Sequence, residues 1–206
     1  TTKSTRRYEA WGPTMDRNNL MLNQVNILFG SVPDDLDDFV FASQSVQAEA
    51  MKYFVEMWRS RKFERTGIIW WNVRDGWPII SDAVVDYYGS KKLAYYFLQN
   101  VQKNVCLLIN DPVDGAYPLV AVNDTRLPAE VATGREVFKG SYNVGPNGRQ
   151  CVSNLPVMKG QGMLQIRYDA NGESCSNHFL YGEPPYKLKE YKGWLDKTKM
   201  YTNKDK

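Results

Sequence analysis

The stretch GIIWWNVRDGWPIISDAVVDYYG (67–89) decides the fold. It opens as a buried strand does, with Gly67, Ile68, Ile69, Trp70 and Trp71. Where that strand should end, it sets Asn72, Arg74, Asp75, Trp77 and Pro78 close together. Side chains along a strand alternate between two faces, so the adjacent Trp70 and Trp71 point in opposite directions. One indole can enter a core, and Trp70 is the expected one. Trp71 must face something else. A strand over 67–73 is therefore expected, with its second face awaiting a partner.

The flanks of this strand follow a helical period. TMDRNNLMLNQVNILFG offers Thr14 or Asp16 as a cap and Gly30 as a stop, with Leu20, Gln24, Ile27 and Leu28 expected on one face. A longer helix is expected over about 34–62. Pro33 suits its first position. Asp34, Asp35, Asp37 and Asp38 stand where the helix dipole favours negative charge, and Arg59, Arg61 and Lys62 where it favours positive charge. Leu36, Phe39, Val40, Val46, Ala50, Phe54, Met57 and Trp58 hold the i, i+3, i+4 spacing of an apolar face. After the strand, Ser90 is expected to cap a third helix, KKLAYYFLQNV. Helix, buried strand, helix is the grammar of a parallel α/β fold. A parallel strand is normally flanked by others and covered on both faces. A single one with two open edges is unfinished, so this half reads as the end of a barrel whose earlier strands are missing.

From residue 104 the period becomes two. VCLLI, YPLVAVN, EVFKGSY, RQCVSNL, GMLQIRY and SCSNHFLY are strand candidates, divided by NDPVDG, GPNG and DANG. Residues 124–135 read as a loop. Asn171-Gly172 between two alternating runs is a hairpin signal. Short strands with turns at regular spacing imply an antiparallel sandwich ending near Tyr181. GEPPYKLKEYKGWLDKTKMY then reads as a short helix docking through Tyr186, Leu188, Tyr191 and Trp194. The expected division is 1–103 for the α/β part, 104–182 for the sandwich and 183–206 for a C-terminal extension.

Composition bounds the function. The 206 residues are 43% hydrophobic and 13% aromatic, enough for a core. A net charge of +3 is too small to argue for nucleic acid, and part of it lies in Lys197, Lys199, Lys204 and Lys206 of a solvated tail. Cys106, Cys151 and Cys175 are an odd number, which excludes full internal pairing and leaves the redox compartment open. The compartment is undecided, with a periplasmic or secreted one slightly favoured on no cysteine signal. Cys175 and the sole histidine, His178, fall short of the four ligands zinc needs. No metal and no cofactor are expected. The opening TTKSTRRYEAWG has no apolar core, so no signal peptide is expected there. No run of about 18 apolar residues offers a membrane span.

FASQSVQAEAMKYFVEMWRSRKFERTGIIWWNVRDGWPIISDAVVDYYGSKKLAYYFLQNV resembles the last part of the catalytic barrel in glycoside hydrolase family 2, nearest the β-mannosidase and exo-β-glucosaminidase branch. In that family a barrel helix leads into strand eight, then a Trp-x-x-Asn/Arg-Asp-x-Trp loop, a Tyr-Tyr-Gly segment and a final helix. Trp71, Arg74, Asp75, Trp77 and DYYGSKKLAYYFL keep that order. The detailed match covers about 39–102; the sandwich matches in architecture only. Arg74 stands where Asn is common in the β-mannosidase branch, so the sugar is undecided. The resemblance implies α/β plus all-β architecture: the C-terminal fragment of a (β/α)8 TIM barrel followed by an immunoglobulin-like β-sandwich. It also implies a retaining, exo-acting glycosidase of β-linked sugars, in which one carboxylic acid protonates the leaving oxygen and one carboxylate attacks the anomeric carbon. The family carries these glutamates on strands four and seven, and neither motif is present. Glu9 of YEAWG has the wrong spacing for the nucleophile and reads as a solvated loop carboxylate.

Barrel enzymes place their sites at the carboxyl ends of the strands, here residues 72–77. A sugar ring offers C–H faces to indoles and hydroxyls to carboxylates and amides. Trp71, Asn72, Arg74, Asp75 and Trp77 are therefore the expected substrate-binding set, with no catalytic residue in this chain. Structural alternatives stand beside three of them. Trp71 could simply pack. Asp75 could cap the next turn by hydrogen-bonding backbone N–H groups. Arg74 could pair with Asp75 or Asp82. Asn18 and Asn19 need no more than a helix-entry role. The expected partners are a carbohydrate substrate, the missing N-terminal part of the barrel, and a second copy associating through the open strand edge. The competing function is a non-catalytic carbohydrate-binding or interaction module built on the sandwich.

Overall fold

The computed structural model describes residues 17–135, 138–198 and 201, so Glu9 lies outside the described residues. Helix α1 spans Arg17–Phe29 and stops at Gly30, whose φ of +78° is open to glycine at little cost. Its core side is Val25 and Phe29, while Leu20 and Ile27 are exposed. That corrects the expected 20/24/27/28 face, of which only Leu28 packs, and only partly. The helix is covered on one side, and the other apolar positions face solvent.

Helix α2 spans Leu36–Ser60, with the Asp35 side chain accepting from the Asp38 N–H at 3.0 Å. The cap thus lies past Pro33, which is outside the helix. Asp37 and Asp38 occupy the first turn and Arg59 the last, as the dipole favours. The buried stripe is Ala42, Ser45, Ala48, Lys52, Val55, Glu56 and Ser60. The expected apolar stripe is instead split: Phe39 and Val46 pack in part, whereas Leu36, Val40 and Phe54 are exposed. The small residues admit close neighbours, and the buried charges are satisfied by a network described below.

Helix α3 spans Leu93–Val101. Ser90 does not cap it. Lys92 stands at the N-cap without a side-chain bond, and the Gln44 side chain of α2 accepts from the Leu93 N–H at 2.9 Å. Ser90 donates its own N–H to Asp86 at 2.7 Å, closing the preceding turn.

The 67–73 segment keeps the alternation of a strand without forming one. Ile68 and Trp70 pack against the helical core, while Ile69 is 98% exposed and Val73 is also exposed. A strand requires a ladder, and among the described residues the segment pairs only at its end. Val84 N–H donates to Asn72 O at 3.2 Å, Val85 N–H to Val73 O at 2.9 Å, and Asp75 N–H to Val85 O at 3.1 Å. The chain folds back on itself, and no longer strand lies alongside among the described residues.

Seven strands follow: β1 (Val105–Ile109), β2 (Ala116–Asn123), β3 (Ala129–Arg135), β4 (Phe138–Val144), β5 (Arg149–Pro156), β6 (Gly162–Ala170) and β7 (Glu173–Tyr181). They form two antiparallel sheets, ordered β1-β2-β5 and β4-β3-β6-β7. Leu107, Ile109, Leu119 and Ala121 of the first sheet meet Val131, Val144, Ile166 and Tyr168 of the second in one core. β3 corrects the expected 124–135 loop. AEVATGR has few large apolar residues, and the buried Ala129 and Val131 mark its inner face. The β6–β7 hairpin turns at Asn171 and Gly172, with φ of 50° and 82°, the pair of positive values that a type I′ turn needs.

Helix α4 spans Leu188–Thr198. Tyr191 is fully buried, with its ring 5.4 Å from that of Phe29 and 6.1 Å from that of Phe41. Tyr186 and Leu195 are buried beside it, with Leu188 and Trp194 packed in part. The C-terminal helix therefore closes the helical core rather than trailing from the sandwich.

A buried polar network joins α2 to β7. Lys52 Nζ lies 2.7 Å from Glu56 Oε2. Asn177 Nδ2 donates to Glu56 Oε1 at 2.7 Å and to Leu107 O at 3.0 Å. His178 bonds Glu49 through Nε2 at 3.0 Å and the Tyr201 hydroxyl through Nδ1 at 2.6 Å. Tyr191 donates to Glu49 at 2.8 Å. Burial pushes the Glu49 carboxyl up, but His178, Lys52 and Tyr191 outweigh it and hold the group below its ordinary value of 4.5. A depressed carboxyl stabilises the fold above its unfolded value, and that contribution is lost as pH falls through the folded value. Urea midpoints should therefore fall as pH drops below about 4.5, and Glu49→Gln should flatten that fall. An unchanged slope in the variant would exclude Glu49 as its source.

Candidate functional site

The end of the 67–73 segment carries the candidate site, and its local fold follows from a small polar anchor. Asp75 is only 5% exposed. Its Oδ1 accepts from the Ser81 hydroxyl, and its Oδ2 lies 3.6 Å from Lys92 Nζ. Lys92 also donates to Ser81 O at 3.0 Å, and Ser81 Oγ accepts from Ala83 N–H at 3.0 Å. These bonds fix residues 81–83 over the loop and so align Val84 and Val85 with Asn72 and Val73. Asp75 thus lies beneath the loop and holds it through a side-chain hydroxyl and an ammonium, not through the backbone N–H groups that a cap would use. Sequence reasoning did not single out Ser81 or Lys92, because no short spacing links them to Asp75.

The other expected residues lie above this anchor. Trp71 is 80% exposed and Trp77 64%. Arg74 is exposed, and its guanidinium donates to Tyr87 O at 2.8 Å, so it stays close to the Tyr-Tyr-Gly segment. Asn72 is half-buried, and its side-chain oxygen is shielded from water with no hydrogen-bond partner. The exposed indole faces can take a C–H surface, whereas the Asn72 oxygen, shielded as it stands, is closed to an incoming hydroxyl. Tyr88 is exposed as well, with its ring centroid 5.2 Å from that of Tyr87.

The anchor and the indoles should respond differently to truncation. Asp75→Ala leaves the Ser81 hydroxyl without its acceptor and Lys92 without its counter-ion, and should cost about 1–3 kcal/mol. Trp77→Ala removes an exposed side chain and should stay within about 0.5 kcal/mol. Urea unfolding of both variants distinguishes the roles, and equal losses would show that Trp77 is also structural.

No family model matches the chain. β-Mannosidase B of Aspergillus niger is 29% identical over 142 residues, 55% of this chain and 17% of that protein. β-Mannosidase B of Thermothelomyces thermophilus is 34% identical over 126 residues, 58% of this chain and 14% of that protein. Over a little more than half of its length the chain is thus similar to part of two fungal β-mannosidases. It spans less than a fifth of the length of these curated relatives. Among solved structures, the β-D-mannosidase of Dictyoglomus thermophilum superimposes with a TM-score of 0.73 at 19% identity, over 91% of this chain and 25% of that one. An exo-chitosanase of Amycolatopsis orientalis, solved with p-nitrophenyl β-D-glucosamine, gives a TM-score of 0.65 at 18% identity, over 89% of this chain and 26% of that one. These two likenesses are of fold: a mixed α/β chain with antiparallel sheets.

Proposed function

We propose that this chain is the C-terminal segment of a retaining, exo-acting glycoside hydrolase of β-linked sugars. In this reading 1–103 closes a TIM barrel, 104–182 is an immunoglobulin-like sandwich, and 183–206 is an extension. One observation carries it. Ile68 and Trp70 face helices, whereas Ile69, Trp71 and Val73 face open space. A barrel strand shows one face to its helices and the other to the barrel interior. The exposed face is then the interior-facing one, and Trp71 and Trp77 stand at its carboxyl end.

Each residue has a chemical role in that setting. The indoles of Trp71 and Trp77 stack on the C–H face of the terminal sugar. Arg74 takes hydroxyls, and Asn72 takes one once its shielded side-chain oxygen is uncovered. Asp75 positions the loop through Ser81 and Lys92. Both reacting carboxyls come from chain outside this segment. The test uses the longer gene product. Trp77→Ala should lower kcat/KM on p-nitrophenyl β-D-mannoside by roughly tenfold to a hundredfold, the scale of an aromatic contact worth about 1.5–3 kcal/mol, with Tm unchanged. An unchanged kcat/KM would remove Trp77 from the site. A longer product with no glycosidase activity on any β-linked sugar would favour the non-catalytic carbohydrate-binding module.

A further inference from the structure

A second concavity lies away from the Trp71–Trp77 rim, between α1, α2 and β7. It encloses about 440 Å³, within the range of roughly 300–1,000 Å³ common for small-molecule sites. Ile27, Leu28, Val46, Phe179 and Leu180 give it apolar walls. Glu49, Lys52 and Glu56 reach it from α2. A cleft with apolar walls and a few convergent charged groups has the composition of a ligand site.

The charges differ in availability. Lys52 and Glu56 satisfy each other at 2.7 Å, with side chains only 4% exposed. Glu49 is different: its bonds to His178 and Tyr191 both use Oε1, and its side chain keeps 15% of its surface open. Glu49 and Glu56 share this floor with Lys52, and the His178 imidazole meets Glu49 from behind. Both Glu56 oxygens are bonded, which leaves Glu49 Oε2 as the oxygen turned to an incoming group, and it favours a cation over an anion. An incoming ammonium meets a carboxylate already held in place by two donors. We propose that this cleft binds a small organic cation, with an apolar body against Ile27, Val46 and Leu180 and its ammonium head on Glu49.

The test is a set of NMR titrations of the full 206-residue chain at pH 8 with 3-phenylpropylammonium, 3-phenylpropanol and 3-phenylpropanoate. The ammonium should bind saturably with one site, at least about tenfold tighter than the alcohol, as a charge-assisted hydrogen bond warrants. The carboxylate should not bind. Glu49→Gln should bring the ammonium down to the level of the alcohol. Ala50 lines the cleft on an exposed helix position, so Ala50→Trp should fill the cleft and abolish binding while the circular dichroism stays native. That variant keeps the test decisive if Glu49→Gln fails to fold. Equal affinity for ammonium and alcohol would overturn the proposal, as would ammonium binding that survives Ala50→Trp or no ammonium binding up to about 10 mM, a limit of roughly 2.7 kcal/mol.

Discussion

Incubated with chromogenic β-mannoside, β-galactoside, β-glucoside and β-glucosaminide, the 206-residue chain is expected to release chromophore no faster than the uncatalysed reaction. The difference from an intact enzyme is of the order of a millionfold or more. Retaining catalysis needs two carboxyl groups about 5–5.5 Å apart across one glycosidic bond. They must be held by rigid elements, since misplacement by about 1 Å can cost on the order of a hundredfold. The carboxyls near the rim do not meet this need. Asp75 is buried and bound to Ser81, with Lys92 beside it. Asp86 accepts the Ser90 N–H at 2.7 Å. Glu49 and Glu56 sit in the network that joins α2 to β7. Turnover that survives Glu9→Gln and vanishes with Asp75→Asn would move the chemistry onto this loop. Turnover that vanishes with Glu9→Gln would make Glu9 the nucleophile.

The largest stability effect should come from Glu56→Ala. The carboxylate is almost fully buried and meets Lys52 at 2.7 Å and Asn177 at 2.7 Å. Its removal strands a buried ammonium and an amide donor at the contact between helices and sandwich. Breaking one side of a buried pair typically costs about 3–5 kcal/mol, a large part of a total stability of about 5–15 kcal/mol. The penalty reflects the stranded charge rather than the pair's net worth, so Lys52→Met with Glu56→Leu should recover most of it. The exposed pair of Lys187 and Glu190, 3.0 Å apart, gives the contrast: Glu190→Ala should cost no more than about 0.5 kcal/mol. Urea midpoints decide, and a Glu56→Ala loss as small as that of Glu190→Ala would show that water already reaches Lys52.

What could be read from the sequence divides by the range of the cause. Gly30, the acidic first turn of α2 and Asn171-Gly172 act within a few residues, and each ends or turns the chain as its chemistry requires. The period of two at 67–73 separated Trp70 from Trp71, because alternation belongs to a single segment. A ladder does not: it needs neighbouring backbone, and residues 67–73 have almost none among the described residues, so the expected strand is extended chain. The face of α2 was hidden for the same reason. Its apolar residues spread around the helix, and only its neighbours decide that Ala42, Ala48 and Val55 go inward while Leu36 and Phe54 stay out. Asp75 has the right loop but a buried place in it, because Ser81 and Lys92 reach it through the fold rather than through a motif.

The central claim is that the exposed face of 67–73 belongs to a barrel interior supplied by chain outside this segment. Sequencing the transcript upstream of Thr1 tests it most directly. The account predicts an open reading frame that continues through further βα units and places two glutamates at the carboxyl ends of barrel strands. An in-frame stop closely followed by an initiator methionine just before Thr1 would contradict it.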